Sequence, residues 1–428
     1  MVRAGAAFAG AILMLAASAC RAQTPYIPTE RPAPGDTVCG QPVCGADALH
    51  PAFERLEVTE RGEGRFRILQ IGDSHTAGDQ ISGQLRGRMQ ARFGRGGRGV
   101  LPPGVPYAGY APRQAQVEAT GATYLPAPLI AGGTRVPMGL AGGQGRLEPG
   151  DDRLILTLDP GVPLERVGVC GQAGPDRGAL WLIPDIGLAH PVVFRGEEAR
   201  PLCAEVSVSA AATSVTLIAS DGPVVLDDVR LESAGGLSLS NLGVVGSTLM
   251  DMAGRDEATA RAQLGADAPD LILLAYGVNE GFDAGLDPVA YEQALRARIA
   301  WLRTVVPDAA VMILLAPEGL RRRAPASGPE RWSQSCGSEG EWQVPPTLAL
   351  VRDVQRRVSE DLGVAFWDWY GRMGGACSAD RLAGATDPLM RGDRVHFTAA
   401  GAEWIGDILA DDLLATYDGW RAARTGGD

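Results

Sequence analysis

The chain has 428 residues, 45% of them hydrophobic and 21% charged, which is the make-up of a globular protein too long for one typical core. Its formal charge of -12 argues against nucleic acid or an anionic membrane surface as partner, since either would repel it without a local basic patch, and none is obvious. Every basic side chain is Arg and there is no Lys, which removes a Walker lysine, a Schiff-base lysine and a Ser-Lys dyad from consideration.

Arg3, an apolar run from Ala4 to Ala17 and the small residues Ala17, Ser18 and Ala19 read as a secretory signal peptide over 1–22, too short for a membrane span. Cys20 leaves a second reading open, a lipid-bearing cysteine, although Ala17 stands where such signals usually carry Leu. Beyond Cys20 six cysteines remain, an even number that suits disulfides in an oxidising compartment. Proximity suggests Cys39 with Cys44, Cys170 with Cys203, and Cys336 with Cys377. No spacing is a zinc pattern, and neither a metal nor a cofactor is expected. Residues 23–46, rich in Pro from Thr24 to Asp36, read as an extended tether.

A helical pattern runs from Asp47 to Val58, and a short apolar strand, Ile68 to Ile71, stops at Gly72. Ser74, Thr76 and Gly78 then lead into a helix whose apolar face is Ile81, Leu85, Met89 and Phe93. Ser74 therefore sits on a strand-to-helix turn, where its hydroxyl is either a nucleophile or, with Asp73, an ordinary helix cap. The Gly-rich FGRGGRGVLPPG that follows has no Lys and comes after a helix, so it is not read as a phosphate loop. Residues 47–106 thus form the first part of an α/β domain.

Between 107 and 235 the pattern changes to short alternating runs such as Arg153 to Leu158, Leu180 to Ile183, Glu205 to Val208, Ser214 to Ala219 and Val224 to Leu231, with Gly, Pro and Asp between them. Many short strands with few helical segments predict an inserted β-sandwich. The α/β alternation returns over 236–418: strands at Leu237 to Asn241, Leu271 to Tyr276, Val311 to Leu315 and Val364 to Trp367, with helical spacing at Tyr291, Leu295, Ile299, Leu302 and Val306 and at Leu348, Val351, Val354 and Val358. Strands alternating with helices imply parallel crossovers and a three-layer α/β/α domain with its ligand beyond the carboxyl ends of the strands. Ser74, Gly246 and Asn279 each follow such a strand, and a last helix from Thr398 to about Leu414 begins just after Asp393 and His396.

Four blocks in this order, GDSH at Ser74, NLGVVGST with Gly246, YGVNE with Asn279 and DRVHFT with Asp393 and His396, resemble the SGNH hydrolases, also called GDSL esterases. The resemblance covers Phe66 to Gly94 and Gly236 to Leu414, and implies an SGNH-type, flavodoxin-like α/β/α domain. The form GDSHTAGD, the β-rich insert after the first block and the closing VHFT are most similar to the peptidoglycan O-acetylesterase group, whose insert resembles a carbohydrate-binding module. It implies backbone N-H groups of Ser74 and Gly246 and the side-chain amide of Asn279 as oxyanion donors. Glu280 after Asn279, where many relatives have Asp, and His75, where the name motif has Leu, depart from the pattern and bear on substrate preference.

The residues support the same chemistry on their own terms. A serine needs a base near neutral pH, and histidine is the side chain suited to that. Of the four histidines, His50 precedes the core, His190 falls in the sandwich and His75 adjoins Ser74 awkwardly, which leaves His396 as base with Asp393 orienting its ring. The expected activity is that of a secreted or periplasmic serine carbohydrate esterase removing O-acetyl groups from an extracellular or cell-wall glycan, peptidoglycan first among the candidates. An O-acetyltransferase working on an exopolysaccharide through acetyl-Ser74, and a catalytically inactive glycan-binding protein, are the alternatives. Anchoring to an outer membrane through Cys20 stays open.

Overall fold

Five parallel strands form the central sheet: β1 (Arg65–Gly72), β2 (Gly236–Gly243), β3 (Leu271–Ala275), β4 (Ala310–Leu314) and β5 (Ala365–Trp367), in the order 2-1-3-4-5. This is the doubly wound order of flavodoxin-like folds, in which the crevice opens where β1 and β3 part. Gly72 is level with Gly243 on one side and Ala275 on the other, so the loops after β1, β2 and β3 leave the sheet side by side. The computed structural model describes residues 31–126, 138–322 and 334–425, and from Pro34 on they pack as one unit. The leader, Cys20 and the start of the tether lie outside the described residues.

Period-2 alternation decides which side chain faces which layer. Ile68, Leu271, Leu273 and Met312 pack against α1 (His50–Glu60), α2 (Ile81–Phe93) and the terminal α6 (Ala399–Thr425). Leu69, Ile71, Ile272 and Leu274 pack against α3 (Glu257–Asp267), α4 (Pro288–Val305) and α5 (Pro346–Leu362). With both faces covered, the strands read as continuous apolar runs. No helix among the described residues is long and apolar enough to cross a membrane.

Two antiparallel sheets lie between β1 and β2 in sequence. One orders its strands as Arg200–Ser207, Arg166–Ala173, Val224–Glu232, Gly143–Leu147 and Thr123–Pro126, and the other as Ala115–Thr120, Arg153–Leu158, Ser214–Ser220, Ala179–Pro184 and His190–Val193. Leu154, Leu156, Val167, Val169, Leu180, Leu182, Val215, Leu217, Leu226 and Val229 fill the space between them, as in a sandwich. The first sheet also takes in Gly97–Leu101, which pairs with Val224–Glu232 although the sequence placed it in the hydrolase part as a Gly-rich loop. Its neighbours explain the glycines: a Cβ on Gly97 would come within 2.5 Å of the Glu232 Cα, and one on Gly99 within 2.7 Å of the Ser240 hydroxyl. The same strand touches the α/β sheet, with Val100 N donating to Ser240 Oγ at 3.0 Å and Gly96 N to the Leu237 carbonyl at 2.8 Å.

All three disulfides suggested by proximity are present, Cys39–Cys44, Cys170–Cys203 and Cys336–Cys377. The terminal helix outruns its expected end near Leu414 and continues to Thr425, because Tyr417, edge-on, and Trp420, tilted, pack against the Phe53 ring of α1 and stay buried.

Candidate active site

The turn after β1 is built from small contacts that leave no freedom. Asp73 caps a one-turn helix, Ser74–Ala77, its carboxylate accepting the His75 N-H at 2.9 Å while its carbonyl accepts from Thr76 and Ala77. Gly72 is required here: a Cβ would lie 2.3 Å from Thr76 Oγ1 and 2.5 Å from the Ala275 carbonyl oxygen. Gly243 is required too, since a Cβ there would meet Ala77 N at 2.0 Å. The Ser74 turn therefore rests directly on β2 and β3.

Asp79, the last residue of GDSHTAGD, was not singled out in the sequence and proves to be the anchor of this turn. It is buried with a left-handed backbone (φ 49°) and accepts from Arg86 Nη2 at 2.7 Å, Arg98 Nη2 at 2.9 Å, Arg113 N at 2.9 Å and Ser82 Oγ at 2.7 Å. Burial pushes its carboxyl up, but the Arg86 and Arg98 charges and these bonds outweigh it and hold the group down at about 2. Its position in the block was the only sequence signal, because a buried carboxylate between two buried arginines has no periodicity.

His396 reaches this turn from the loop before α6. Its Nε2 is 3.0 Å from Ser74 Oγ, and its Nδ1 is 2.9 Å from Asp393 Oδ2. The carboxylate can only accept, so the proton sits on Nδ1 and the Nε2 lone pair faces the serine. Asp393 Oδ1 accepts the N-H groups of Val395 and His396 at 2.9 Å each, which fixes the loop. Burial alone would raise the Asp393 carboxyl; the bonds from His396 and Val395 turn the balance and lower it. The His396 side chain is 38% exposed, so solvent reaches the ring.

Gly246 (φ 76°) makes the turn after β2, and Asn279 lies on a one-turn helix after β3, Val278–Phe282. Asn279 Nδ2 donates to the Ser247 carbonyl at 2.8 Å, which ties the two loops together and leaves its second N-H for another acceptor. Among the described residues neither the Ser74 nor the Gly246 backbone N-H donates to a protein acceptor. Gly246 and Asn279 line one cavity of about 530 Å³, together with Thr248, Met250 and Tyr291. The structure thus brings together Ser74, Asp393 and His396, and joins Gly246 to Asn279. It keeps His50, beside Asp47 and Trp420, and His190, on a sandwich strand, away from them.

Glu280 and His75 are each under 10% exposed and bond to the loops, and Glu280 also lines the cavity of Gly246 and Asn279. Glu280 Oε1 accepts the Leu249 N-H at 2.7 Å behind the Gly246 turn, and burial pushes its carboxyl up to about 7. His75 lies between Asp73 and the carbonyl of Val395.

Set beside known proteins, residues 227–404 match the profile of the GDSL-like lipase/acylhydrolase family, a span that holds Gly246, Asn279, Asp393 and His396 while Ser74 stands before the insert. A solved peptidoglycan O-acetylesterase is similar over 86% of this chain and 96% of its own, with 26% identity and a TM-score of 0.72. A GDSL-like lipase structure from Parabacteroides merdae, 18% identical over 41% of this chain and 72% of its own, superposes with a TM-score of only 0.31 and adds nothing to the argument. No curated protein sequence matches.

Proposed function

We propose that this chain, which belongs to the SGNH or GDSL-like hydrolase family and is a serine esterase of that type, removes O-acetyl groups from peptidoglycan. The observation that carries the reading is the relay of 3.0 Å from Ser74 to His396 and 2.9 Å from His396 to Asp393, on a chain similar over 86% of its length to a peptidoglycan O-acetylesterase.

In this reading Ser74 Oγ attacks the acetyl carbonyl as its proton passes to His396 Nε2, and Asp393 stabilises the imidazolium. The Ser74 and Gly246 N-H groups and the second N-H of Asn279 stabilise the oxyanion. Collapse breaks the ester bond, and His396 returns the proton to the departing sugar oxygen. A water deprotonated by His396 then attacks acetyl-Ser74, releasing acetate and the free serine. Transfer to a second sugar would require water to be kept out. The exposure of His396 favours hydrolysis over the acetyltransferase reading.

Three disulfides support export to an oxidising compartment, the periplasm or beyond, with the leader and Cys20 as the means of export and of possible attachment. The test is acetate release from O-acetylated peptidoglycan, from the same material after mild base, and from acetylated xylan. Fastest release from the first, and none from the second, is expected. Equal or faster release from xylan would overturn the assignment to peptidoglycan.

A further inference from the structure

His75 joins the two loops that hold the nucleophile and the base. Its Nε2 is 2.9 Å from the carbonyl oxygen of Val395, the residue before His396, and its Nδ1 is 3.2 Å from Asp73 Oδ1. The ring is stacked on that of His396, with centroids 5.4 Å apart and planes 24° apart, while Trp369 and Phe397 stand edge-on to it. A carbonyl oxygen only accepts, so Nε2 carries a proton. Asp73 Oδ1, which accepts the His75 backbone N-H as a cap, also accepts a hydrogen bond from Nδ1-H, so that nitrogen carries a proton too. A histidine donating from both ring nitrogens is an imidazolium.

The charged and titratable groups around it are few. Asp73 lies on its own turn and Asp393 and His396 on the base loop; Glu280 and Tyr276, beyond β3, face Asp73; Trp369 and Phe397 are neutral. Burial disfavours the charge on His75, and the bonds to Asp73 and Val395 with the charge of Asp73 outweigh it, so its protonation is favoured overall.

We propose that His75 is a positioning residue, a cationic clamp that fastens the His396 loop to the Ser74 turn and whose charge opposes protonation of the base. It does not touch substrate. The inference rests on the reading of Ser74 as nucleophile and His396 as base.

The experiment compares kcat, KM and the pH profile on a small acetyl ester for the wild type, His75→Gln, His75→Ala, Ser74→Ala and His396→Ala. Gln keeps a neutral donor for Val395, whereas Ala keeps none. Removing a positive charge beside His396 makes that ring easier to protonate, so in both His75 variants the rise of activity should move to higher pH by roughly half to one unit. Turnover should fall roughly ten- to a hundredfold in His75→Ala and less in His75→Gln, with KM little changed. An unmoved midpoint in His75→Gln overturns the clamp. Should the variants fail to fold, 15N spectra of the wild type labelled at its four histidines decide: two protonated ring nitrogens on His75 at pH 8 support the proposal, and one overturns it. Activity surviving Ser74→Ala or His396→Ala would instead bring down the underlying site reading, an outcome the His75 variants cannot mimic.

Discussion

In the proposed mechanism Asn279 does two jobs with one amide group, since the N-H bound to the Ser247 carbonyl fixes the direction of the other. Asn279→Ala should therefore lose the oxyanion donor and loosen the Gly246 turn, lowering kcat roughly a hundred- to a thousandfold in steady-state assays on a small ester. Asp393 is tested more cleanly by Asn than by Ala, because Asn can still accept the backbone N-H groups of Val395 and His396. Asp393→Asn should keep the loop but disturb the tautomer, at a cost of roughly a thousand- to ten-thousandfold in kcat. A loss below tenfold would remove Asp393 from the relay. The proposed nucleophile, base and oxyanion donors were legible as four short blocks at strand ends. What the sequence could not convey was how their neighbours connect: His75, Asp79 and Glu280 matter through bonds to residues well separated in the chain, and no spacing encodes those.

Among the elements, the helix α2 and the buried parallel strands were readable because their periodicity is set by burial on one or two faces. Arg166–Ala173 was not, since Gly168 and Gly171 interrupt its alternation. In the fold those glycines make room, for the Arg230 guanidinium in one case and for the Val225 carbonyl and Phe194 ring in the other. The Ser74 turn and α2 share the Asp79 anchor, which yields a prediction at this scale. Asp79→Asn preserves a residue that tolerates the left-handed backbone but withdraws the charge between Arg86 and Arg98. Uncompensated buried arginines should destabilise the fold by about 3–5 kcal/mol, read as a lower midpoint in urea or heat. A variant as stable as the wild type would show that the cluster is not a structural anchor.

Across the whole molecule the sandwich is not a detachable appendage. Glu232, on its Val224–Glu232 strand, accepts two bonds of 2.9 Å from Arg67 of β1, and Gln263 of α3 donates to Asp228 at 2.6 Å. Next to these bonds lie acids that no ion pair holds among the described residues: Asp227 is bound by Gln144 and Gln172, and neither carboxyl oxygen of Asp267 meets a donor, although the charges of Arg230 and Arg67 act on it. Burial pushes both carboxyls up to about 7. An acid raised in the folded state stabilises fully below its unfolded value near 4, and that contribution is lost as pH climbs to about 7. Asp267→Asn should accordingly shrink the difference in unfolding free energy between pH 5 and pH 8, by up to about 3 kcal/mol for a shift of this size. Denaturant titrations at the two pH values check this, and an unchanged difference would show that Asp267 is not protonated in the folded protein.

The most direct measurement of the relay is labelling by a sulfonyl fluoride, in which an activated serine oxygen displaces fluoride and stays covalently marked. Peptide mapping after reaction should find one modified residue, Ser74, with a rate that rises with pH as His396 loses its proton and that collapses in His396→Ala. A label on another serine, or equal labelling of Ser74 in His396→Ala, would contradict the assignment of nucleophile and base.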